Sequence, residues 1–269
     1  MAVGLAQSLK RWTRVTRLAL HVLRGLATSA FLFPLQSSQR RKREIEHWSL
    51  DLLNILNVRL FLHGKPPAYG ARPLVIVANH VSWLDIFAIN AIVPARFVAK
   101  SEVRAWPVMG WLSARAGTIF IERARRHDTV RVNHVVASAL RAGDVFAVFP
   151  EGTTTDGSTL LKFHASLLEP ALEAAALIQP VALRFERSDG TLCTEAAYTE
   201  GKSVWGTLMA MTSQHEIRAH VCFLEPLAAE GRHRRDVAGA AREAILRTLR
   251  LEDAGSRSDT AGDRRAAAR

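Results

Sequence analysis

The feature that most constrains this chain is the stretch from Leu74 to Asp85, an apolar run that ends abruptly in polar residues. Residues 74–78 are apolar and largely β-branched, which predicts a buried strand, and a helix is predicted to begin shortly afterwards. Asn79 and His80 lie between the two, and Asp85 lies near the start of the helix. Because α/β sheets place their chemistry in loops at the ends of buried strands, this junction is a candidate active site.

His80 and Asp85 form a candidate pair for proton transfer. An imidazole exchanges a proton near neutral pH, and a carboxylate on its far ring nitrogen would fix the tautomer and raise the basicity. A structural explanation stands beside this one, because Ser82 followed three residues later by Asp85 also fits a capping box. Asn79 is likewise open to two interpretations, a direct role in the site or a hydrogen bond that holds the loop.

A second strand of the same kind supports the first interpretation. Residues 145–149 form another apolar run, followed by Pro150, Glu151, Gly152 and Thr153. Pro150 fixes the backbone where the strand ends and Gly152 tolerates positive φ, so backbone can come close to a ligand there. Glu151 has two interpretations, a contact to substrate or a buried ion-pair partner of a nearby arginine.

Together these blocks resemble the glycerolipid acyltransferase family, of the 1-acyl-sn-glycerol-3-phosphate (lysophosphatidate) acyltransferase type. The resemblance rests first on the HX4D motif within Asn79 to Asp85 and on the block Phe149 to Thr153. Two further family blocks stand in order, at residues 117–123 and 178–183. All four blocks fall between residues 74 and 185.

The resemblance implies an enzyme that moves a fatty acyl group to the free hydroxyl of a lysolipid. The donor is a thioester, either acyl-acyl carrier protein (acyl-ACP) or acyl-coenzyme A (acyl-CoA), with no metal and no other cofactor. His80 would be the general base that takes the hydroxyl proton as the carbon–oxygen bond forms, and Asp85 would orient it. Arg123 matches the family's phosphate-binding arginine, whose planar guanidinium group can donate two parallel hydrogen bonds to a phosphate. Residues 151–153 match the block implicated in acceptor binding.

Two positions depart from the family pattern. Many lysophosphatidate acyltransferases have an arginine after Phe-Pro-Glu-Gly-Thr, where this chain has Thr154. The lysine of the later Phe-Lys-x-Gly block is replaced by His164. Both changes remove positive charge from the acceptor site that the family implies. The resemblance favours 1-acyl-sn-glycerol-3-phosphate as the acceptor and phosphatidate as the product, and the departures make lyso-ornithine lipid the alternative.

The charge of the chain indicates an anionic partner. Its 269 residues carry a formal net charge of +11. Basic residues of the N-terminal third are interleaved with apolar helix rather than with exposed aromatics, which favours an anionic membrane surface over nucleic acid. Cys193 and Cys222 have neither a disulfide framework nor a metal-ligand spacing, and both are predicted to be small core residues in a reducing compartment.

Other classes of protein lack their sequence motifs in this chain. The nucleotide-phosphate-binding pattern GxxxxGK[ST] is absent. The nucleophile elbow GxSxG is also absent, which disfavours a serine hydrolase. A non-catalytic lipid-binding protein with a degraded acyltransferase domain is the alternative from another class. The presence of both His80 and Asp85 argues against it.

Residues 1–63 are predicted to form a membrane-associated helical hairpin. The apolar stretch Val15 to Leu35 carries basic residues in its first half, which favours an amphipathic helix lying in the interface over one that spans the bilayer. A second helix is predicted from Ser38, with apolar residues at helical spacing as far as Leu60. The expected location is the cytoplasmic face of a bacterial inner membrane, as a peripheral or monotopic protein.

Residues 64–251 are predicted to form the acyltransferase domain, an α/β fold with a largely parallel sheet flanked by helices. Beyond the two strands already described, strands are predicted at 97–99, 117–121, 178–185, 192–198 and 217–224, the last two at sheet edges. Helices are predicted at 81–92, 102–114, 128–142, 163–176, 204–212 and 233–251. Residues 252–269, rich in Ala, Arg, Asp, Gly and Ser, are predicted to be a disordered tail.

Overall fold

The computed structural model describes residues 2–68, 72–122 and 126–251. In those residues the strands are β1 Val58–His63, β2 Leu74–Ala78, β3 Arg96–Lys100, β4 Ile119–Ile121, β5 Val145–Val148, β6 Leu177–Arg187, β7 Ile217–Phe223 and β8 Leu227–Ala228. The α-helices are α1 Ala2–Ala27, α2 Ser38–Ile55, α3 Leu84–Asn90, α4 Met109–Arg115, α5 Arg126–Arg141, α6 Glu169–Glu173, α7 Val204–Thr212 and α8 Arg234–Leu249. The tail at 252–269 lies outside the described residues.

The described strands form one mixed sheet in the order β1-β7-β6-β2-β5-β3-β4, with β8 paired to β6. Strand β2 lies between β5 and β6 and is parallel to both. Strands β3 and β4 continue the parallel part beyond β5. Strand β7 runs antiparallel to β6 and parallel to β1. The predicted α/β fold with a largely parallel sheet is confirmed.

The apolar strands are buried because helices cover both faces of the sheet. Val75 and Val77 of β2 pack on one face in a cluster that includes residues of α5 and α8. Leu74 and Ile76 pack on the opposite face with Ile89 of α3. A parallel strand covered on both sides needs apolar residues at every position, which is why β2 shows no polar alternation.

The first two helices form the predicted hairpin and pack closely on each other. The rings of His21 and Trp48 stack with centroids 4.6 Å apart. Trp48 Nε1 donates to the carbonyl of His21, and a Cβ on Gly25 would lie 2.6 Å from that nitrogen. Gly25 therefore permits the close approach of α1 to α2. Arg24 and Asp51 form an ion pair at 2.9 Å across the same contact.

Helix α2 is shorter than its apolar spacing predicts. It ends at Ile55, Asn57 takes a left-handed φ of 57°, and the chain then enters β1 at Val58. Leu60 therefore lies in a strand that pairs with β7, because the sheet offers its backbone N–H and C=O groups partners. The sheet thus begins inside the segment that the sequence assigns to the helical hairpin.

Two predictions about the later strands are wrong. The segment 192–198 is not a strand in the described structure; only Leu192 forms a single bridge, to Glu186, and Arg187 is paired with Glu195 at 2.7 Å. Strand β7 is not an edge, because it lies between β1 and β6. The helices predicted at 102–114 and 163–176 are each broken, beginning as 3-10 turns at Ser101–Ala105 and Ala165–Leu168.

Helix α1 continues through a π-helical turn at Thr28–Leu32, and the segment Lys10–Leu35 is long and apolar enough to cross a membrane by length and composition alone. Much of its apolar surface faces outward, with Leu20 61% exposed and Phe31 75% exposed. An exposed apolar stripe of this kind marks an interaction surface.

Candidate active site

The loop after β2 brings His80 and Asp85 together. Strand β2 ends at Ala78, and Asp85 lies in the first turn of α3 with none of its surface exposed. His80 Nδ1 lies 2.7 Å from Asp85 Oδ2, and the His80 side chain is 21% exposed. A hydrogen bond to a carboxylate places the proton on Nδ1 and leaves Nε2 as the basic nitrogen. The predicted pairing geometry is present.

Asp85 also binds the backbone of the loop, so the two sequence interpretations coexist. The same Oδ2 accepts from the backbone N–H of Val81 at 2.7 Å and of Ser82 at 2.9 Å. Only one half of a capping box is present, the hydrogen bond from the N–H of Ser82 to the Asp85 carboxylate. The N–H of Asp85 donates to the Ser82 carbonyl instead of the Ser82 hydroxyl. That buried hydroxyl has no partner in the described part of the chain. One carboxylate oxygen therefore fixes both the imidazole and the loop that carries it.

Aromatic rings hold the imidazole from the side. The ring of His80 stacks on Phe149 at 4.0 Å between centroids, with only 8° between the planes. Phe149 in turn stacks on Phe97 of β3 at 5.8 Å. His80 follows β2 and Phe149 directly follows β5, so their stacked rings join the carboxyl ends of these two parallel strands. Stacking restricts rotation of the imidazole and keeps Nε2 in one direction.

Glu151 lies beneath the His80 loop, with 3% of its surface exposed. Its Oε1 accepts from the backbone N–H of His80 at 2.7 Å, and its Oε2 accepts from that of Leu161 at 2.8 Å. Burial raises the pKa of Glu151 from 4.5 to about 7, opposed by these two hydrogen bonds. The nearby negative charge of Asp85 raises this pKa further, and the positive charge of Arg242 lowers it.

The burial of Glu151 and its hydrogen bonds are relevant to the prediction that this residue contacts the acceptor. Both carboxylate oxygens bind backbone N–H groups, and the side chain is buried. Its contacts in this structure are therefore with the backbone of the surrounding loops. Glu151 is better described as a positioning residue that ties the loop of His80 to the segment around Leu161.

The residues after Glu151 form the exposed rim of the site. Gly152 has a φ of 74°, which a glycine adopts without strain, and Thr153 is exposed. The hydroxyl of Thr154, which stands where many relatives have arginine, donates to the carbonyl of Tyr198. The N–H of Thr155 donates to the His80 carbonyl at 2.9 Å, which closes the rim over the loop. Arg123 lies outside the described residues.

Asn79 has the loop-holding role. Its Nδ2 donates to the carbonyl of Leu183 at 2.9 Å, and its Oδ1 accepts from the N–H of the same residue at 2.7 Å. This reciprocal pair ties the end of β2 to β6 across 104 positions of sequence. The amide of Asn79 thereby continues the backbone pairing of the sheet for one further step.

An apolar cavity beside the site was missed by the sequence reasoning. It is a narrow space with about 140 Å³ open to water-sized molecules, lined by residues of α1 to α4 and of β3. Phe97, which belongs to the aromatic stack, lines it, as do Met109 and Leu112. Small residues four positions apart, such as Gly25 and Ser29, were the available signal. In the described residues, no group of three or more His, Cys, Asp or Glu side chains is arranged to hold a metal ion.

Comparison with known proteins identifies the class to which this chain belongs. A family model described as Acyltransferase matches residues 59–184. A lyso-ornithine lipid O-acyltransferase of Pseudomonas aeruginosa is 37% identical over 209 residues, which is 78% of this chain and 79% of that protein. A 1-acyl-sn-glycerol-3-phosphate acyltransferase of Neisseria meningitidis is 36% identical over 162 residues, which is 60% of this chain and 63% of that protein.

A solved structure supports the fold. The crystal structure of the 1-acyl-sn-glycerophosphate (LPA) acyltransferase PlsC from Thermotoga maritima superposes with a TM-score of 0.71 at 20% identity, and covers 92% of this chain and 96% of that one. The fold and the matches to acyltransferases thus define an acyl-transferring enzyme. The chain belongs to the glycerolipid acyltransferase family.

Proposed function

We propose that this protein transfers a fatty acyl group from an acyl-ACP or acyl-CoA thioester to the free hydroxyl of a lysolipid. The observation that carries the proposal is the hydrogen bond between His80 Nδ1 and Asp85 Oδ2, at 2.7 Å. The aromatic stack on His80 ends at Phe97, which lines the apolar cavity. The pair supplies a base, and the cavity suits a hydrocarbon chain. No metal or other cofactor enters the proposal.

In this mechanism, Nε2 of His80 takes the proton of the lysolipid hydroxyl while that oxygen attacks the thioester carbonyl carbon. An alcohol is too weak an acid to attack unaided near neutral pH, so removal of its proton during attack lowers the barrier. The carbonyl oxygen becomes negative in a tetrahedral intermediate. The intermediate then expels the thiolate, which takes the proton from His80. The products are an ester and a free thiol, and His80 is neutral again.

Asp85 contributes by stabilising the imidazolium that forms during attack. Its carboxylate is fully buried and lies against Nδ1, where its negative charge acts with little screening by water. The backbone N–H groups of Val81 and Ser82 hold the same oxygen in place. The base therefore needs little reorganisation as it becomes charged.

The apolar cavity is the proposed site of the fatty acyl chain. It extends along β3 from Ala99, near the strand's carboxyl end, to Ala95, just before its amino end. The active-site loop lies at the carboxyl ends of the parallel strands, so Ala95 marks the far end of the cavity. Ala116 lies beside it, because Arg96 Nε donates to the carbonyl of Gly117 at 2.8 Å. An acyl chain entering from the thioester carbonyl would run toward them.

Two acceptors are the candidates for the lysolipid. The longer of the two sequence matches reported above is to a lyso-ornithine lipid O-acyltransferase, and Thr154 offers a hydroxyl, bound to Tyr198, where a cation for a phosphate would stand. Both favour lyso-ornithine lipid. The Neisseria relative and Arg123 favour 1-acyl-sn-glycerol-3-phosphate instead. We take lyso-ornithine lipid as the first acceptor to test.

The proposal places the enzyme at an anionic membrane, on the cytoplasmic face of a bacterial inner membrane. The exposed apolar side chains of α1 and the net charge of +11 support binding at such a surface. A lysolipid acceptor with one fatty chain resides in that membrane. Both substrates could then meet at the site without leaving it.

The test is incubation of the full-length protein with acyl-ACP or acyl-CoA and a panel of lysolipids, with products identified by mass spectrometry. Formation of a diacylated lipid and free thiol is expected, with lyso-ornithine lipid consumed fastest. Consumption of lysophosphatidate alone would reverse the choice of acceptor and leave the reaction intact. If no lysolipid is acylated while the protein still binds lipid vesicles, the chain is a lipid-binding protein and the proposal is wrong.

A further inference from the structure

A second cavity, with basic side chains in its lining, lies beside α8, and we refer to it as the basic groove. It has about 870 Å³ open to water-sized molecules, within the range of roughly 300–1,000 Å³ that is typical of small-molecule sites. Lys162, His164, Arg235 and Arg242 line it. No Asp or Glu of the described chain lines it. A concave surface with this lining selects an anionic ligand.

The basic groove adjoins the active-site loop through a short series of hydrogen bonds. Glu151, which binds the backbone N–H of His80, also accepts from the N–H of Leu161. The next residue, Lys162, lines the groove. The N–H of His164 donates to the carbonyl of Pro150 at 2.8 Å. The groove wall is therefore built directly on the end of β5, where the reaction would occur.

The basic groove and the apolar cavity lie on opposite faces of the sheet. Phe163, within the groove wall, packs in the core cluster that contains Val77. Phe97, which lines the apolar cavity, packs in the cluster that contains Ile76, the neighbouring residue on the other face of β2. His80 follows the end of that strand, between the two. A substrate that occupied both would cross the sheet edge at His80.

A thioester donor has this shape. Its reacting carbonyl separates an apolar acyl chain from a thiol arm, and both ACP and CoA carry that thiol on the same phosphopantetheine group. With the acyl chain in the apolar cavity, the arm must leave in another direction. We propose that the basic groove binds the phosphopantetheine arm of the donor, with its phosphate against Lys162 and Arg235. This inference rests on the proposed acyl transfer.

The charges of the groove support that assignment. The neighbouring Arg234 is paired with Glu169 at 2.6 Å, and Arg242 donates to the carbonyls of Leu160 and Leu161. Across the residues the structure describes, the Lys162 ammonium and the Arg235 guanidinium make no ion pair. Arg242 thus shapes the wall, and the other two cations face the groove. Helix α8 leaves open space in the groove at Gly239, since a Cβ added to that residue would meet nothing within 4 Å.

The experiment compares donors that contain or lack the phosphate. Lys162→Gln, Arg235→Gln and the double variant are assayed in the full-length protein with acyl-CoA, acyl-ACP and acyl-pantetheine, which has the arm without its phosphate. Each lost charge-assisted contact should raise the KM for acyl-CoA and acyl-ACP roughly tenfold or more. The KM for acyl-pantetheine and for the lysolipid should not change. Arg232→Gln, an exposed arginine outside the groove, is the matched control.

Other outcomes overturn the assignment. A raised KM for the lysolipid alone would make the groove an acceptor site. An effect on acyl-ACP alone would indicate contacts with the carrier protein, and an effect on acyl-CoA alone would indicate contacts with its nucleotide. Unchanged kinetics in all variants would mean that the groove does not bind the donor. Turnover of acyl-pantetheine by the unmodified enzyme tests the proposed acyl transfer separately from all of these.

A binding measurement covers the case in which no turnover is found. Free 4′-phosphopantetheine and pantetheine are titrated into the unmodified protein and the double variant by calorimetry. The phosphorylated arm should bind the unmodified protein at least tenfold more tightly than pantetheine does, and the double variant should lose that difference. Equal binding of the two compounds by the unmodified protein would refute the proposal.

Discussion

The carboxylate of Glu151 accepts the backbone N–H of His80 at 2.7 Å, although 71 positions separate the two residues in sequence. The contact joins the loop after β2 to the loop after β5, its parallel neighbour. Because the other carboxylate oxygen binds Leu161, one buried side chain fixes three segments around the site. The position of the proposed base thus depends on a buried carboxylate whose two oxygens bind backbone N–H groups.

We expect Glu151→Gln to change how stability depends on pH. Burial raises the pKa of Glu151 from 4.5 to about 7, so between those values the native state binds this proton more tightly than the unfolded chain does. Its contribution to stability is therefore full below pH 4.5 and is lost as the pH rises through about 7. The difference in unfolding free energy, wild type minus variant, should fall with pH by up to about 1.4 kcal/mol per unit. Urea unfolding monitored by fluorescence measures it.

The exposed Glu230→Gln variant is the control for that experiment. It should show no such dependence across the neutral range. A difference for Glu151→Gln that stays constant, or that increases with pH, would contradict the assigned cause of the pKa shift.

His80→Ala should reduce turnover by about 10²- to 10⁴-fold, because it removes the base alone. The fold should persist, since the side chain is partly exposed and its loop is held through the backbone. Turnover is measured with a fixed thioester and lysolipid, and the fold by circular dichroism. His134→Ala, at an exposed position on α5, is the control and should keep full activity. Undiminished turnover in folded His80→Ala protein would exclude the mechanism.

Asp85→Asn should impair activity more than stability. An amide oxygen can still accept from Val81 and Ser82, but it lacks the charge that stabilises the imidazolium. We expect roughly a tenfold or greater loss of kcat and about 1 kcal/mol of lost stability, the difference between charged and neutral hydrogen bonds. Ser82→Ala should change neither, because the Ser82 hydroxyl has no partner in the described chain. A large loss of stability with full activity in the surviving folded protein would show that Asp85 serves only the loop.

Ala116→Phe should shorten the acyl chains that the enzyme accepts. Ala116 lines the far end of the apolar cavity, where a phenyl ring would occupy space that a long chain needs. The kcat/KM for long-chain thioesters should fall by more than that for short-chain ones. Ala114→Phe, two residues earlier and exposed outside the cavity, is the matched control. An equal loss for all chain lengths would argue that the acyl chain lies elsewhere.

Replacing Leu20 and Leu23 with glutamate should weaken binding to vesicles of phosphatidylglycerol and phosphatidylethanolamine. These side chains of α1 are 61% and 59% exposed, and burying each in the bilayer interface is worth about 1.5–3 kcal/mol. Sedimentation with vesicles measures the bound fraction. The pair Val130 and Val135 on α5, replaced in the same way, controls for the added charge. Equal losses in the two variants would mean that charge alone governs binding.

The sequence by itself determined the elements that depend on local pattern. Apolar runs predicted β2, β5 and β6, and the residues that follow β2 and β5 predicted which loops form the site. The spacing of His80 and Asp85 made them a candidate pair, and the loop before α3 brings their side chains together. The hairpin of α1 and α2 followed from helical spacing in the same way. The domain boundaries and the roles of Arg123, Gly152 and Thr153 remain predictions.

Tertiary structure decided what depends on distant partners. Residues 58–63 continue the apolar spacing of α2, yet they form β1 because β7 supplies backbone partners 159 positions away. Residues 192–198 have the composition of a strand but lack a neighbour to pair with beyond one bridge. Glu151 showed the same limit, since sequence identified a carboxylate at the right strand end and only packing showed that its oxygens bind the loops. Local pattern specifies which backbone forms are favourable, whereas hydrogen-bond partners and cavities are made by segments far apart in the chain.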